Sequence, residues 1–302
     1  VQKGATGLIW FFCQFLYQEQ AARPYCLVEA RQPLSGVRSL NSIAARTEEA
    51  FSILPGDADR GVLILCDHAS NAMPDAFGLL GLDAHQLLRH IAYDIGAEIV
   101  SRVLAAELNC PAVLSRFSRL LIDPNRGRDD PTLVPMIADG AIVPGNARID
   151  AEGVAARIAR FYAPYDDAIG STISAMRASG RNPVIFAMHS FTPVMKGVER
   201  PWHVTVIWNF DPRLNLPFLQ SLRQEADLIV GENEPYQSGY RGDTLDRHAI
   251  NAGLAHVLVE VRQDLIDTPA KAASWGKRLA RHLEPLLDEP SLYEARVFGV
   301  HP

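Results

Sequence analysis

Four short apolar runs in this chain each stop at a chemically loaded residue, and that repeated pattern limits the folds open to it. Gly61–Cys66 runs into Asp67-His-Ala-Ser-Asn71, and Pro111–Leu114 leads to Ser115-Arg-Phe-Ser-Arg119 and then Ile122-Asp-Pro-Asn-Arg126. Pro183–Met188 ends at His189-Ser190, and His256–Val259 ends at Glu260-Val-Arg262. Short β-branched runs separated by helical patterns read as buried strands of an α/β sheet. In such sheets the ligand crevice lies beyond the carboxyl ends of the strands, which is where these histidines, arginines and the glutamate arrive.

The intervening segments supply the helices. Leu82–Leu108 carries apolar residues at helical spacing, with Asp83 as N-cap and Asn109-Cys-Pro111 as its stop. Residues 125–148 are rich in Asp, Gly and Pro and predict a long functional loop. Asp150–Ser179 predicts a second helix that Pro164 breaks or kinks. Further helices are predicted over 217–227, 243–255 and 268–287, with strands over His203–Trp208 and Leu228–Val230. No repeat or linker divides the chain, so residues 51–302 read as one α/β domain preceded by an extension over 1–50. Leu8–Tyr17 in that extension is too short to span a bilayer. It reads as a packing segment or poorly ordered extension rather than the h-region of a signal peptide, because the basic flank is almost absent.

Bulk properties narrow the function. The 302 residues carry a net charge of -6, without the basic face that nucleic-acid binding needs. Nothing suggests a membrane partner, and an oligomer is open. Cys13, Cys26, Cys66 and Cys110 show no paired spacing, which fits free thiols and a cytoplasmic setting. A Gly-x-Ser-x-Gly elbow, a dinucleotide fingerprint and a phosphate loop are all missing.

His68 and His189 are the metal-ligand candidates, since each directly follows a strand and imidazole suits zinc or another divalent ion. Singly, each also fits a structural loop or strand-end histidine. A His-x-x-Glu pattern would need an acid at 71, where Asn71 stands; Asp94 is the nearest credible carboxylate for a third ligand. Glu260, inside an apolar run, is either a base with a raised pKa or the partner of Arg262 on the same strand face. Arg119, Asn125 and Arg126 offer planar carboxylate recognition and oxyanion stabilisation, or a turn braced by Asp123. These features imply a metal-dependent hydrolase acting on a small anionic substrate.

Six motifs, in order, carry a resemblance: Asp67-His-Ala-Ser-Asn-Ala-Met-Pro74, Ala92-Tyr-Asp-Ile-Gly-Ala97, Ser118-Arg-Leu-Leu-Ile-Asp-Pro-Asn-Arg126, Arg200-Pro-Trp-His203, Asn233-Glu-Pro-Tyr236 and Glu260-Val-Arg-Gln-Asp-Leu265. Over Ile53–Leu287 the chain resembles the N-formylglutamate amidohydrolase family, which is similar to the zinc carboxypeptidase and aspartoacylase group. The resemblance implies a three-layer α/β sandwich, a mostly parallel or mixed sheet with helices on both faces. It implies hydrolysis of the N-acyl amide of an acidic amino acid, formate and glutamate being the products in the type reaction. A related deacylase or peptidase, or a degenerate member that only binds an acidic metabolite, are the alternatives. Carried over, His68 and His189 match metal ligands, Glu260 the base, Arg119 the oxyanion arginine, and Asn125-Arg126 the pair for the α-carboxylate. Arg262, Tyr236 and His248 fall among the pocket residues, with Asn233, Glu234 and Tyr240; a turn plus a helix start explains several of them equally well. Two departures stand out: Asn71 in place of the wider group's glutamate ligand, and Tyr165-Asp166 in place of Tyr-His.

Overall fold

The computed structural model describes residues 48–236 and 240–301, all within a compact unit that begins at Val37. The readings made for residues 1–47, Cys13 and Cys26 among them, lie outside the described residues.

The central sheet has seven strands: β1 (Phe51–Leu54), β2 (Val62–Cys66), β3 (Ala112–Ser115), β6 (Val184–Phe191), β9 (Val204–Ile207), β10 (Val230–Glu232) and β11 (His256–Arg262). Two small hairpins lie outside it, β4 (Ile137–Ala138) with β5 (Ala141–Ile142), and β7 (Val194–Met195) with β8 (Val198–Glu199). The sheet order is β1-β3-β2-β6-β11-β9-β10. Strands β3, β2, β6 and β11 are parallel to one another, whereas β1 is antiparallel to β3 and β9 to β11. The sheet is therefore mixed, with a parallel centre. All four strands predicted from the loaded apolar runs are in that centre.

Alternation along β2 shows why helices cover both faces. Val62, Ile64 and Cys66 join one core with residues of α1 (Ala97–Leu108), α4 (Pro212–Leu222) and α5 (Pro269–Leu283). Leu63 and Leu65 join the opposite core with Phe161, Tyr162, Tyr165, Ile169 and Ile173. Side chains two apart share a face, so a strand apolar at every position must be buried twice. The result is the expected three-layer sandwich. Cys66 and Cys110 are buried free thiols.

Four predicted helices differ from those observed, one of them in position alone: for the predicted 217–227, α4 runs over Pro212–Leu222. Leu82–Leu108 is helical only over Ala97–Leu108, after a 3-10 turn at Ala84–Leu88. The stretch between them bonds elsewhere: the Asp94 amide donates to the His68 carbonyl, and the Ala92 carbonyl accepts from the Arg119 amide and the Ser118 hydroxyl. Tertiary hydrogen bonds have replaced the helical ladder. Pro164 does not break the second helix. Instead α2 (Ala151–Arg157) passes through a π turn at Ile158–Tyr162 into α3 (Ala163–Ala178), with Pro164 in the first turn of α3. Widening the coil there accommodates a residue that has no N–H to donate. Over 243–255 a helical turn starts at Thr244, with the Asp243 carboxylate accepting from the Asp246 amide as its N-cap, and passes into a π turn, Asp246–Ile250, where the helix ends. Strand β1 and both hairpins had no period long enough to announce them. The predicted 125–148 loop contains β4 and β5.

Gly96 opens α1 at φ 82, and a Cβ there would lie 2.3 Å from the Ile266 carbonyl oxygen. Left-handed backbone and this close approach both require glycine. Gly96→Ala is expected to lower stability by about 2–4 kcal/mol, measured as a shifted urea midpoint.

Candidate active site

Strand register brings the chemistry together. Leu65 pairs with Ala187, so the chain beyond β2 carries Asp67 level with His189; on the other side of β6, His189 pairs with Glu260. Three parallel strands thus present Asp67, His189 and Glu260 in a row at one edge. The irregular stretch before α1 lays Asp94 across this row.

Asp94 Oδ2 lies 3.3 Å from His68 Nδ1 and 2.8 Å from His189 Nδ1, and the Ser190 amide donates to it at 3.3 Å. The two rings meet edge to face, with centroids 5.2 Å apart. Each ring's far nitrogen meets a second carboxylate. His68 Nε2 is 2.7 Å from Asp123 Oδ1, and His189 Nε2 is 3.3 Å from Asp67 Oδ2 without hydrogen-bond alignment. All five residues are buried. Asp67 is held in turn by the Tyr165 and Thr244 hydroxyls, at 2.9 and 2.8 Å.

The donor set fits a divalent cation. His68, Asp94 and His189 offer ligand atoms within 4.8 Å of one another, two imidazole nitrogens and a carboxylate oxygen. Carboxylates backing the far nitrogens are how metal-binding histidines are usually oriented and made more basic. Charge points the same way. Asp67, Asp94, Asp123 and Glu260 gather here with Arg119 as the guanidinium among them, and uncompensated buried charge is costly. Without a metal, protons take up the excess. Burial works against a charged His189, but Asp67 and Asp94 outweigh it and push the imidazole up to about 10. Burial likewise opposes ionised Asp94 and Asp123, yet neighbouring cationic groups hold both carboxyls well below the usual range.

Glu260 has neither a hydrogen bond nor an ion pair among the described residues. Burial pushes its carboxyl up to about 7, where accepting and releasing a proton are both easy. The alternative pairing with Arg262 does not form. Arg262 binds Asp264 at 2.7 Å and donates to the carbonyls of Arg200 and Pro201. Arg119 grips Asp123 at 2.7 Å and reaches Asp94 at 3.6 Å, so its guanidinium borders the His–Asp–His group. The Asn125 side-chain oxygen accepts from the Thr244 amide at 3.0 Å, and its side-chain nitrogen Nδ2 is unpartnered among the described residues. Arg126 lies over the Tyr240 ring at 4.8 Å. Tyr236 accepts from Arg200 at 3.1 Å, and burial together with Glu260 raises its phenol pKa.

His248 is not brought to this group; its Nε2 contacts Asp166 at 2.6 Å. Asp166 also binds Arg247, which donates to the carbonyls of Pro124, Arg126 and Gly242 and so holds the Asn125-Arg126 segment in place. The departure from Tyr-His to Tyr165-Asp166 therefore has a structural task. Asp67, Asp123, Thr244 and Tyr165 were not among the candidates drawn from sequence. Asp67 and Asp123 did have a signal, each standing inside a loaded motif and next to the residues that were chosen.

A family model described as N-formylglutamate amidohydrolase matches residues 60–267. Gene product Atu2144 from Agrobacterium tumefaciens, a crystal structure, is 33% identical, aligning over 82% of this chain and 99% of its own with a TM-score of 0.75. An N-formylglutamate amidohydrolase from Ralstonia eutropha JMP134 is similar in fold, at 18% identity over 79% of this chain and 97% of its own, with a TM-score of 0.57. No curated protein matches. The fold and the family match place the molecule among the amidohydrolases. The chain belongs to the N-formylglutamate amidohydrolase family.

Burial opposes ionisation of Asp166, but His248 and Arg247 prevail and bring its carboxyl down to about 2. A folded pKa below the unfolded value of about 4 means that the ionised form stabilises the fold. That contribution is complete above about pH 4 and is lost as pH falls through about 2. Asp166→Asn should cost about 1–2 kcal/mol at pH 7, with the gap to wild type closing between pH 4 and pH 2 in denaturant titrations.

Proposed function

We propose that this chain is a divalent-metal-dependent amidohydrolase that removes the acyl group, formyl in the type reaction, from an N-acyl acidic amino acid. The observation that carries the reading is the pairing of a His68–Asp94–His189 donor set, carboxylate-backed at both histidines, with a Glu260 that has no hydrogen bond or ion pair among the described residues. His68, Asp94 and His189 would hold the ion, and two imidazoles with one carboxylate suit zinc. Such an ion supplies Lewis acidity toward the amide carbonyl and toward water.

Glu260 takes the proton of the attacking water and returns it to the departing amine, so one carboxyl serves as base and then acid. Arg119 stabilises the oxygen that becomes negative as the carbonyl turns tetrahedral; Asp123 fixes the direction of its guanidinium. Asn125 and Arg126 bind the α-carboxylate and place the scissile amide against Glu260. The substrate is a small anion. Among the described residues no helix is long and apolar enough to cross a membrane. The buried free thiols of Cys66 and Cys110 support work in the reducing cytoplasm.

The direct test is formate release from N-formyl-L-glutamate by protein loaded with zinc, by chelated protein, and by chelated protein with zinc restored. Turnover should vanish on chelation and return with zinc. Turnover that survives complete chelation would overturn the metal-dependent reading. Glu260→Gln should cut kcat by about 10²–10⁴-fold while metal content by elemental analysis stays at the wild-type level. Asp123→Asn, which removes the carboxylate behind His68 and with it the charge partner of Arg119, should weaken metal affinity by about 10–100-fold in a competitive chelator titration.

A further inference from the structure

Charge matching around the site singles out a side chain with no task so far. Arg119 is neutralised by Asp123, Arg247 by Asp166 and Arg262 by Asp264, each at 2.7–2.9 Å. Among the described residues Arg126, Arg128 and Arg200 are not matched in this way, and Arg128 lies over the Tyr162 ring at 5.4 Å. Arg126 comes no nearer than 4.0 Å to Asp130, and it is already assigned to the α-carboxylate. Arg200 has no carboxylate partner among the described residues. Its polar partners are neutral: the Thr192 hydroxyl at 3.2 Å and the Tyr236 hydroxyl at 3.1 Å, with the Tyr236 ring beneath it at 5.1 Å.

The position is a built one. Thr192 follows the last residue of β6, three residues after His189. The Arg200 amide donates to the Pro193 carbonyl at 2.8 Å, and the Arg200 carbonyl accepts from Arg262 on β11. The backbone is thus pinned between the two strands that carry His189 and Glu260. Tyr236 lies close enough to Glu260, Asp94 and Arg119 to interact electrostatically with all three. Both hydroxyls accept from Arg200, which leaves both O–H protons to donate. A part-buried guanidinium flanked by two such hydroxyls is a receptor for a planar anion.

We propose that Arg200, with the Tyr236 and Thr192 hydroxyls, binds a second carboxylate of the substrate, the one on its side chain, and so sets the preference for N-acyl dicarboxylic amino acids. The inference rests on the amidohydrolase reading and adds the residue that reads the side chain. Arg126 and Arg200 together match a dianion; a substrate with only an α-carboxylate would leave Arg200 uncompensated.

The test compares N-formyl-L-glutamate with N-formyl-L-glutamine, which has nearly the same shape and lacks the second charge. In the zinc-loaded wild type, kcat/KM should favour the glutamate compound by about 100-fold, the range for a lost charge-assisted pair. In Arg200→Gln the ratio should fall to near 1, chiefly through KM for the glutamate compound, and Arg200→Lys should recover part of it. A parallel fall for both compounds, with the ratio preserved, would mean that Arg200 only supports Tyr236 and would overturn the assignment. Calorimetric binding of both compounds to Glu260→Gln, with and without Arg200→Gln, separates the two readings. Discrimination that depends on Arg200, without turnover by the wild type, would sink the amidohydrolase reading and keep the subsite. Equal affinities for the two compounds would sink the subsite.

Discussion

The carboxylate of Asp94 is the contact on which the rest of the site depends. One of its oxygens faces a nitrogen of each histidine and accepts from the Ser190 amide; the other faces Arg119. Reaching that position requires residues just before α1 to leave helical geometry. The loss is offset by hydrogen bonds from this stretch to the ends of β2 and to the Ser118-Arg119 turn. Gly96 then starts the helix from a backbone conformation that other residues adopt only under strain. The parallel strands supply a row of side chains, and the interrupted helix supplies the group that joins them.

Around Asp94 the charges are ordered in layers. Innermost are two imidazoles with carboxylates on both sides, a negative environment that favours a cation. Glu260 stands beside them without a hydrogen bond or ion pair among the described residues, and burial outweighs the nearby His189, Arg119 and His68, so its carboxyl rises to about 7. Arginines form the next layer, most of them bound to aspartates of their own. Arg247 shows how such pairs serve geometry, since it ties α3 to the Asn125-Arg126 segment through Asp166. The guanidinium groups without such partners are the ones with capacity left for an anion.

Much of this was legible in the chain itself. Runs such as Val62–Cys66 and Val184–Met188, apolar at every position, can only be strands buried on both faces, and their carboxyl ends fix where a ligand must lie. His68, His189 and Glu260 follow from that, because polar residues at those ends are expensive unless they work. Asp94 could be named only as the nearest credible acid. Asp67 and Asp123 were hidden by their neighbours: an acid beside a histidine in sequence says nothing about which ring nitrogen it will face.

Short stretches of chain already specify the layer architecture, the edge of the sheet that bears the chemistry and most of the residues found there, because hydrophobic alternation and strand ends are local properties. Tertiary structure decided which groups are paired. It gave Arg262 to Asp264, His248 to Asp166 and Asp123 to both His68 and Arg119, while leaving Glu260 and Arg200 without charged partners among the described residues. Pairing depends on distances of a few ångströms between segments far apart in the chain. Those distances are set by register and by the packing of whole elements, which no short window of residues contains.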